Sequence, residues 1–396
     1  MDKTSPTPDA ERIGSLDVLR GLALFGVMSI NLVMAFRVSI FQQFLGLSGG
    51  SAFDQWLGRF LSVAVEMKAF AVFSLLFGVG LAIQYERIGR REFPLRLLVR
   101  RLLVLLAFGL VHLCLIWNGD ILTEYAIAGL VTLPFLFLGS RALLVGLLLC
   151  LVGRVVAALT VESPPTATLA EHVRQATDVY AHAGYFEYLR FSLAELRLML
   201  PLHLSVFPRT VALFLIGMWA WRRGIVRNPA RHKNLILVAG IVGTLLGFTL
   251  QESAPVRDVF SGLALTSAGP LAAALGEMAL GLGYVAVAVY VFEFTPLRRL
   301  LSWAAPLGRM AFTNYIAQSV IFGLIFFGYG LGLFGSIGTA AALGIGLTVY
   351  ILQVVGSRLW LHHYRLGPLE WLWRSLMYGR PQTMRCEPHL ISASPT

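Results

Sequence analysis

Arg20 and Asn31 stand eleven residues apart, and Arg101 and His112 repeat the interval. An α-helix turns about 100° and rises about 1.5 Å per residue, so each pair shares a face, with the second group about 16 Å deeper. Both pairs place a cation at one end and a hydrogen-bonding group further in. His112 is followed by Asp120 and Glu124, four residues apart and therefore on one helical face. A histidine beside a carboxylate is held in one tautomer and can work as a general base. The competing use of His112 is a hydrogen bond to a neighbouring helix. Asp120 also suits a helix N-terminus, where an acid meets the dipole. Asp17 and Arg20 are three apart and can pair, either at a binding site or as a plain interfacial ion pair. Asn314 and Gln318 are four apart and either contact a substrate or tie helices together.

The elements that carry these groups are apolar. Of 396 residues, 57% are hydrophobic and 13% charged, and the mean hydropathy is +0.73. Soluble domains carry about 25% charged residues, so lipid is the expected solvent. Counting runs near the length needed to cross a bilayer gives about ten spans. They are Leu16–Phe36, Ala69–Tyr85, Leu102–Trp117, Ile121–Leu138, Ala142–Val161, Val206–Trp221, Leu235–Leu250, Pro270–Phe292, Met310–Tyr329 and Leu331–Val355. The expected fold is an all-α, polytopic transmembrane bundle. Ionisable groups at that depth cost about 2.5–3.5 kcal/mol on insertion scales, which makes them functional candidates. Arg154 and Glu277 lie inside runs and could pair across helices, or Arg154 could snorkel outward.

The net charge is +11. Its basic residues cluster between the runs, around Arg87–Arg101, Arg222–Lys233, Arg298–Arg309 and Arg358–Arg385. With ten spans these clusters share one side, and the positive-inside rule makes it the cytoplasm, with both termini there. The charge is thus read as loops facing anionic lipid, with no nucleic acid as partner. The expected division is a cytoplasmic tail at 1–14, a membrane domain at 15–357 and a cytoplasmic tail at 358–396. Within the membrane domain, 162–204 forms an extracytoplasmic connection. There Leu169, Val173, Ala176, Val179, Ala183 and Phe186 recur at helical spacing and predict an amphipathic helix. In the last segment Trp360, Trp371 and Trp373 beside basic residues predict a short interfacial helix starting at Pro368. Three scattered cysteines give no disulfide framework or metal site. Gly-x-x-x-x-Gly-Lys-Ser/Thr, His-Glu-x-x-His and Gly-x-Ser-x-Gly motifs are missing. No metal and no tightly bound cofactor are expected.

The stretch Arg12-Ile13-Gly14-Ser15-Leu16-Asp17-Val18-Leu19-Arg20-Gly21-Leu22-Ala23, running on to Asn31, resembles the opening of the YeiB family of bacterial integral membrane proteins. So do Gly119-Asp120-Ile121-Leu122 with Tyr125-Ala126, and Gly308-Arg309-Met310-Ala311-Phe312-Thr313-Asn314-Tyr315-Ile316-Ala317-Gln318-Ser319. A further match is Gly367-Pro368-Leu369-Glu370-Trp371-Leu372-Trp373-Arg374. The resemblance implies the bacterial cytoplasmic (inner) membrane. More distantly, the opening resembles transmembrane acyltransferases, among them the acyltransferase-three family and the lysosomal heparan glucosaminide acetyltransferase. The acyltransferase-three pattern places a catalytic histidine where this sequence has Asn31, and an amide cannot act as a base. The same resemblance sets Phe93 with Arg100 and Arg101 near the phosphates of acyl-CoA, the implied co-substrate.

Together these point to acyl transfer from a cytoplasmic carrier to an acceptor at or across the membrane. His112 is then the base, and Asp120 or Glu124 orients it. Arg20, Arg100 and Arg101 hold the donor, and Asn31 orients the reacting group. Asp17, Asn314 and Gln318 complete the set of substrate- or donor-binding candidates. The expected partners are membrane lipids and a small-molecule, glycan or lipid substrate. The rival reading is a transporter or flippase for a small or amphiphilic solute, with the same residues lining a path.

Overall fold

A computed structural model describes residues 14–45, 50–66, 68–88, 94–160, 165–252 and 268–386. The helices are α1 (Gly14–Asn31), α2 (Ala52–Ala64), α3 (Lys68–Ile88), α4 (Pro94–Leu115), α5 (Leu122–Thr132), α6 (Ser140–Thr160) and α7 (Thr166–His182). They continue as α8 (Tyr185–Arg222), α9 (Lys233–Glu252), α10 (Ala268–Phe294), α11 (Ala305–Arg309), α12 (Ala311–Phe326), α13 (Thr339–His363) and α14 (Pro368–Tyr378). Among the described residues no strand forms, only an isolated bridge between Tyr364 and Arg385. Eight helical stretches are long and apolar enough to cross a membrane, and Leu122–Leu136 and Ala311–Phe326 are two shorter apolar ones. Each of the ten runs read from the sequence carries one of these ten.

Small residues set the closest contacts, as expected where both lipid and side chains are apolar. A Cβ on Gly308 of α11 would lie 1.8 Å from the Asp17 carbonyl oxygen, and one on Gly21 would lie 2.2 Å from that of Ala304. The family-like opening and the Gly308 motif are therefore pressed backbone to backbone. Gly78 and Gly217 hold α3 against α8 in the same way. Past Asn31, α1 continues as a π-helical turn, Leu32–Phe36. Phe36 then stacks on Trp117, ring centroids 4.4 Å apart. On the periphery Leu144, Leu148 and Leu149 of α6 and Leu245 of α9 are exposed, as lipid-facing leucines should be.

Two expectations about the outer connection change. The helix α7 forms and buries Leu169, Val173 and Ala176 as the pattern demands. Phe186, however, is 83% exposed. The chain turns extended at Ala183 and Gly184, which resets the helical phase before Phe186. The second change is length. The helix α8 is continuous for 38 residues through Pro201 and Pro208, so the connection up to Leu204 is mostly helix. At about 1.5 Å per residue that is roughly 57 Å, well beyond a hydrocarbon core of about 30 Å. Helix α2 is distinct from α3, begins at a Ser51–Asp54 capping box and buries Leu61, with Phe53, Trp56 and Phe60 stacked along its exposed side.

Candidate active site

His112 sits in the last turn of α4, and the amides just past the helix, Ile116 and Trp117, both bond back to its carbonyl. The chain then turns through Trp117–Ile121 into α5. Gly109 makes this approach possible, because a Cβ there would meet the Thr123 amide at 2.6 Å. The turn delivers Asp120 to His112, Oδ1 to Nδ1, at 2.8 Å. The other oxygen, Oδ2, accepts the Thr123 amide at 2.6 Å and caps α5. Asp120 thus both contacts His112 and meets a first-turn amide of α5. His112 and Asp120 are 1% and 3% exposed. With Nδ1–H donating to a carboxylate, Nε2 carries the lone pair of a base. Nε2 is buried and has no hydrogen-bond partner. Tyr315 and Trp117 flank the ring, centroids at 5.3 and 6.3 Å, and the Tyr315 hydroxyl accepts the Ile121 amide at 3.4 Å.

Other candidates lie with different partners. Glu124 turns from this pair to Thr210 Oγ1, at 2.5 Å, and to His203 Nδ1, at 3.5 Å. Asn31 is half-buried, makes no capping bond, and shares its face of α1 with Leu24, Val27 and Met28. Those residues belong to the core cluster that holds Trp117 and Tyr315. Asn314 donates to Ser357 Oγ, and Gln318 to Gln353 Oε1, which ties α12 to α13. Gln353 in turn donates to the Asn314 carbonyl. Both amides are used as helix ties.

The cations gather at one end of the bundle. Arg20 pairs with Asp17 at 2.9 Å. Arg101 bonds Gln84 and lies 4.7 Å from the ring of Trp373 in α14. Trp373 donates to the Arg101 carbonyl at 3.0 Å. Arg374 and Arg20 are near enough for their charges to act on Arg101. Burial pulls the Arg374 guanidinium below its ordinary pKa, and Arg87 and Arg20 add to the shift. Arg100 is exposed and lies alongside Gly379. Phe93 lies outside the described residues. Helix α14 starts at Pro368, as expected from its proline. It is fixed by Glu370, which accepts the amides of Phe312 and Thr313 and the Thr313 hydroxyl. Thr313 Oγ1 accepts the Leu369 amide in return.

Sequence reasoning missed a second cluster. Glu195 of α8, 3% exposed, accepts His172 Nε2 at 2.7 Å, Asn118 Nδ2 at 2.7 Å and the Tyr180 hydroxyl. Burial and the Glu195 charge push the Tyr180 phenol well above its ordinary pKa. His172 stacks on Phe191. It also missed Arg209, which pairs with Glu277 at 3.1 Å. The sequence does show Glu195 inside an apolar, helical stretch, but that stretch reads as part of the extracytoplasmic amphipathic connection. Among the described residues no three His, Cys, Asp or Glu side chains come together as a metal site would need.

Ten apolar helices, with charged and amide groups turned into their seams, define a polytopic α-helical membrane protein. Residues 220–380 match the family described as protein of unknown function DUF418. The chain is 33% identical over 410 residues to the uncharacterized protein YxaH of Bacillus subtilis, covering 96% of this chain and 97% of that one. It is 29% identical to the uncharacterized protein YeiB of Escherichia coli, covering 92% and 96%. A 39.9 kDa protein from the amylase 3' region of Bacillus acidopullulyticus is also 29% identical, over 93% and 95%. The chain belongs to this YeiB-like DUF418 family. No solved structure matches it.

Proposed function

We propose that the protein is an inner-membrane acyltransferase, with both termini in the cytoplasm and acyl-CoA as donor. The observation that carries this reading is the His112–Asp120 pair, fully buried, with Nε2 unpartnered. A buried ring nitrogen without a partner forgoes about 1–3 kcal/mol, which is readily understood if a substrate supplies one. In the transfer, Nε2 takes the proton of an acceptor hydroxyl or amine as its oxygen or nitrogen attacks the thioester carbonyl. The C–S bond breaks, and the thiolate leaves with that proton from His112. Asp120 steadies the imidazolium meanwhile. Arg20, Arg100, Arg101 and Arg374 supply the positive field for donor phosphates at the cytoplasmic mouth. His112 lies about 16 Å further along α4 than Arg101, a distance suited to a pantetheine-like arm. Tyr315 and Trp117 cover the site, so substrate entry requires one of these rings to move.

The test is purified protein with radiolabelled acetyl-CoA and a membrane lipid and glycan extract as acceptor. His112→Gln should lower labelled product by at least about 100-fold, the usual contribution of a general base. Asp120→Asn keeps the helix cap and disturbs the tautomer, so it should lower the rate while leaving the melting temperature nearly unchanged. Wild-type rates in His112→Gln would make His112 a packing residue. The transporter reading draws on a different observation, the Arg209–Glu277 pair at membrane depth. Solute uptake in proteoliposomes that is abolished by Glu277→Gln and indifferent to His112→Gln would favour it.

A further inference from the structure

Helix α6 carries Arg154 in an otherwise apolar run. No carboxylate comes within ion-pair distance of it among the described residues. Arg209 of α8 is 5% exposed. It gives one nitrogen to Glu277 of α10, while its Nε is buried without a partner. The two arginines line one void where α6, α8 and α10 meet, together with Cys150, Leu151 and Leu275. The void has room for about one water. Leu151 and Leu275 also line a second space, a groove of about 280 Å³ completed by Val152, Val155 and Val156. These α6 residues follow one helical stripe, and Val152, Val156 and Leu275 are exposed on the lipid-facing side. The void and the groove therefore adjoin across Leu151 and Leu275, with cations on the inner side and only aliphatic side chains on the outer side.

Charge completes the description. Glu66, just before α3, is near enough for the charges of Glu277 and Arg209 to act on it. Arg209 takes up Glu277, which leaves Arg154 with no carboxylate in ion-pair distance among the described residues. An unneutralised arginine at this depth is costly, and binding an anion relieves it. We infer that this crevice binds a long-chain carboxylate, such as a fatty acid. The head pairs with Arg154 beside Arg209, and the chain lies along the α6–α10 groove. A guanidinium grips a carboxylate with two parallel hydrogen bonds. The groove is lined by a single stripe of α6 side chains with Leu275 of α10, a lining matched to one acyl chain. The head displaces the water-sized volume as the flexible Arg154 side chain swings to meet it. The residues are separate from His112, so the site stands whether or not that histidine moves protons.

The experiment uses full-length protein in phosphatidylcholine nanodiscs with tritiated oleate. Binding should saturate, and unlabelled oleate but not oleyl alcohol should displace it. Arg154→Gln should weaken binding by about tenfold or more, as expected for loss of a buried charged partner. Leu275→Trp should fill the groove and weaken binding without touching the charges. Arg209→Gln is a poorer probe, because it strands Glu277. Equal competition by oleyl alcohol would overturn the proposal. So would unchanged oleate affinity in a monodisperse Arg154→Gln protein, which would mean that Arg154 only snorkels. Displacement by phosphatidylglycerol as effective as by oleate would overturn the single-chain occupant.

Discussion

His112 and Asp120 were legible because they are close in sequence and costly in lipid. Glu195 was not, because its partners Asn118, His172 and Tyr180 come from segments brought together only by the fold. Spacing finds pairs on one helix or across one turn and is blind to the rest. Glu370 is another such case, since its partner Thr313 is 57 residues away. Burial raises the Glu370 pKa above 4.5, and its hydrogen bonds from Thr313 and Phe312 pull back only in part. A raised carboxyl favours the folded state while it is protonated. Its contribution is therefore present below pH 4.5 and is lost as pH rises through the raised folded value. Glu370→Gln keeps a neutral group there, so its melting temperature in detergent should fall less than that of wild type over this window. Glu370→Ala leaves the first amides of α12 unmet and should lose about 1–3 kcal/mol at any pH. An equal pH slope in wild type and Glu370→Gln would show that other groups set it.

Element identity came through better than element length. Among the described residues, run length and hydropathy located the eight helices long and apolar enough to cross a membrane and two shorter apolar ones, because lipid demands both. Helix α8 escaped because its part up to Leu204 reads as the outer connection, whereas the helix runs on through Pro201 and Pro208. In a membrane protein, neighbouring groups can satisfy the carbonyls that a proline frees. Packing between elements was legible only as small residues, without their partners. Gly308 shows what such a residue does, since its missing Cβ lets the Asp17 carbonyl approach. Gly308→Ala should force α1 and α11 apart and lower stability by about 1–3 kcal/mol, the range for overpacking. Gly344→Ala is the control, because nothing lies within 4 Å of a Cβ there. Thermal melts in detergent should separate the two variants, and equal melting temperatures would mean that the helices adjust freely. At the tail, Trp373→Ala removes the indole that bonds the Arg101 carbonyl and covers its guanidinium. Residues 368–378 should then exchange amide hydrogens faster than in wild type. Unchanged protection would show that the Glu370–Thr313 contacts alone hold α14.

Across the whole molecule, contacts sort the connections into two ends. At one end Arg222 donates to the carbonyls of Phe135, Leu136 and Leu138, and Trp221 and Arg227 bond Glu86. The tail helix meets Arg101 at that end, and Arg20 acts on Arg374 there. At the other end Tyr185 and Tyr188 bond the carbonyls of Leu115 and Ile116. Arg37 bonds the Ile337 carbonyl, and Asp54 accepts the Ala340 amide. The beginning of α1 and the tail thus share the arginine-rich end, and an even number of crossings must separate them. Ten satisfies this parity, whereas an odd count would put the tail opposite the loops it touches. In the proposed topology the Lys and Arg bias makes the shared end cytoplasmic. Alkaline phosphatase folds only outside the reducing cytoplasm, so it reports the side of each fusion point. A fusion after Pro165, between α6 and α7, should be active. Fusions after Asn228, between α8 and α9, and after Pro381, beyond α14, should be inactive. Activity at Pro381 with none at Asn228 would place an odd number of crossings between them and remove the common end on which the donor site depends.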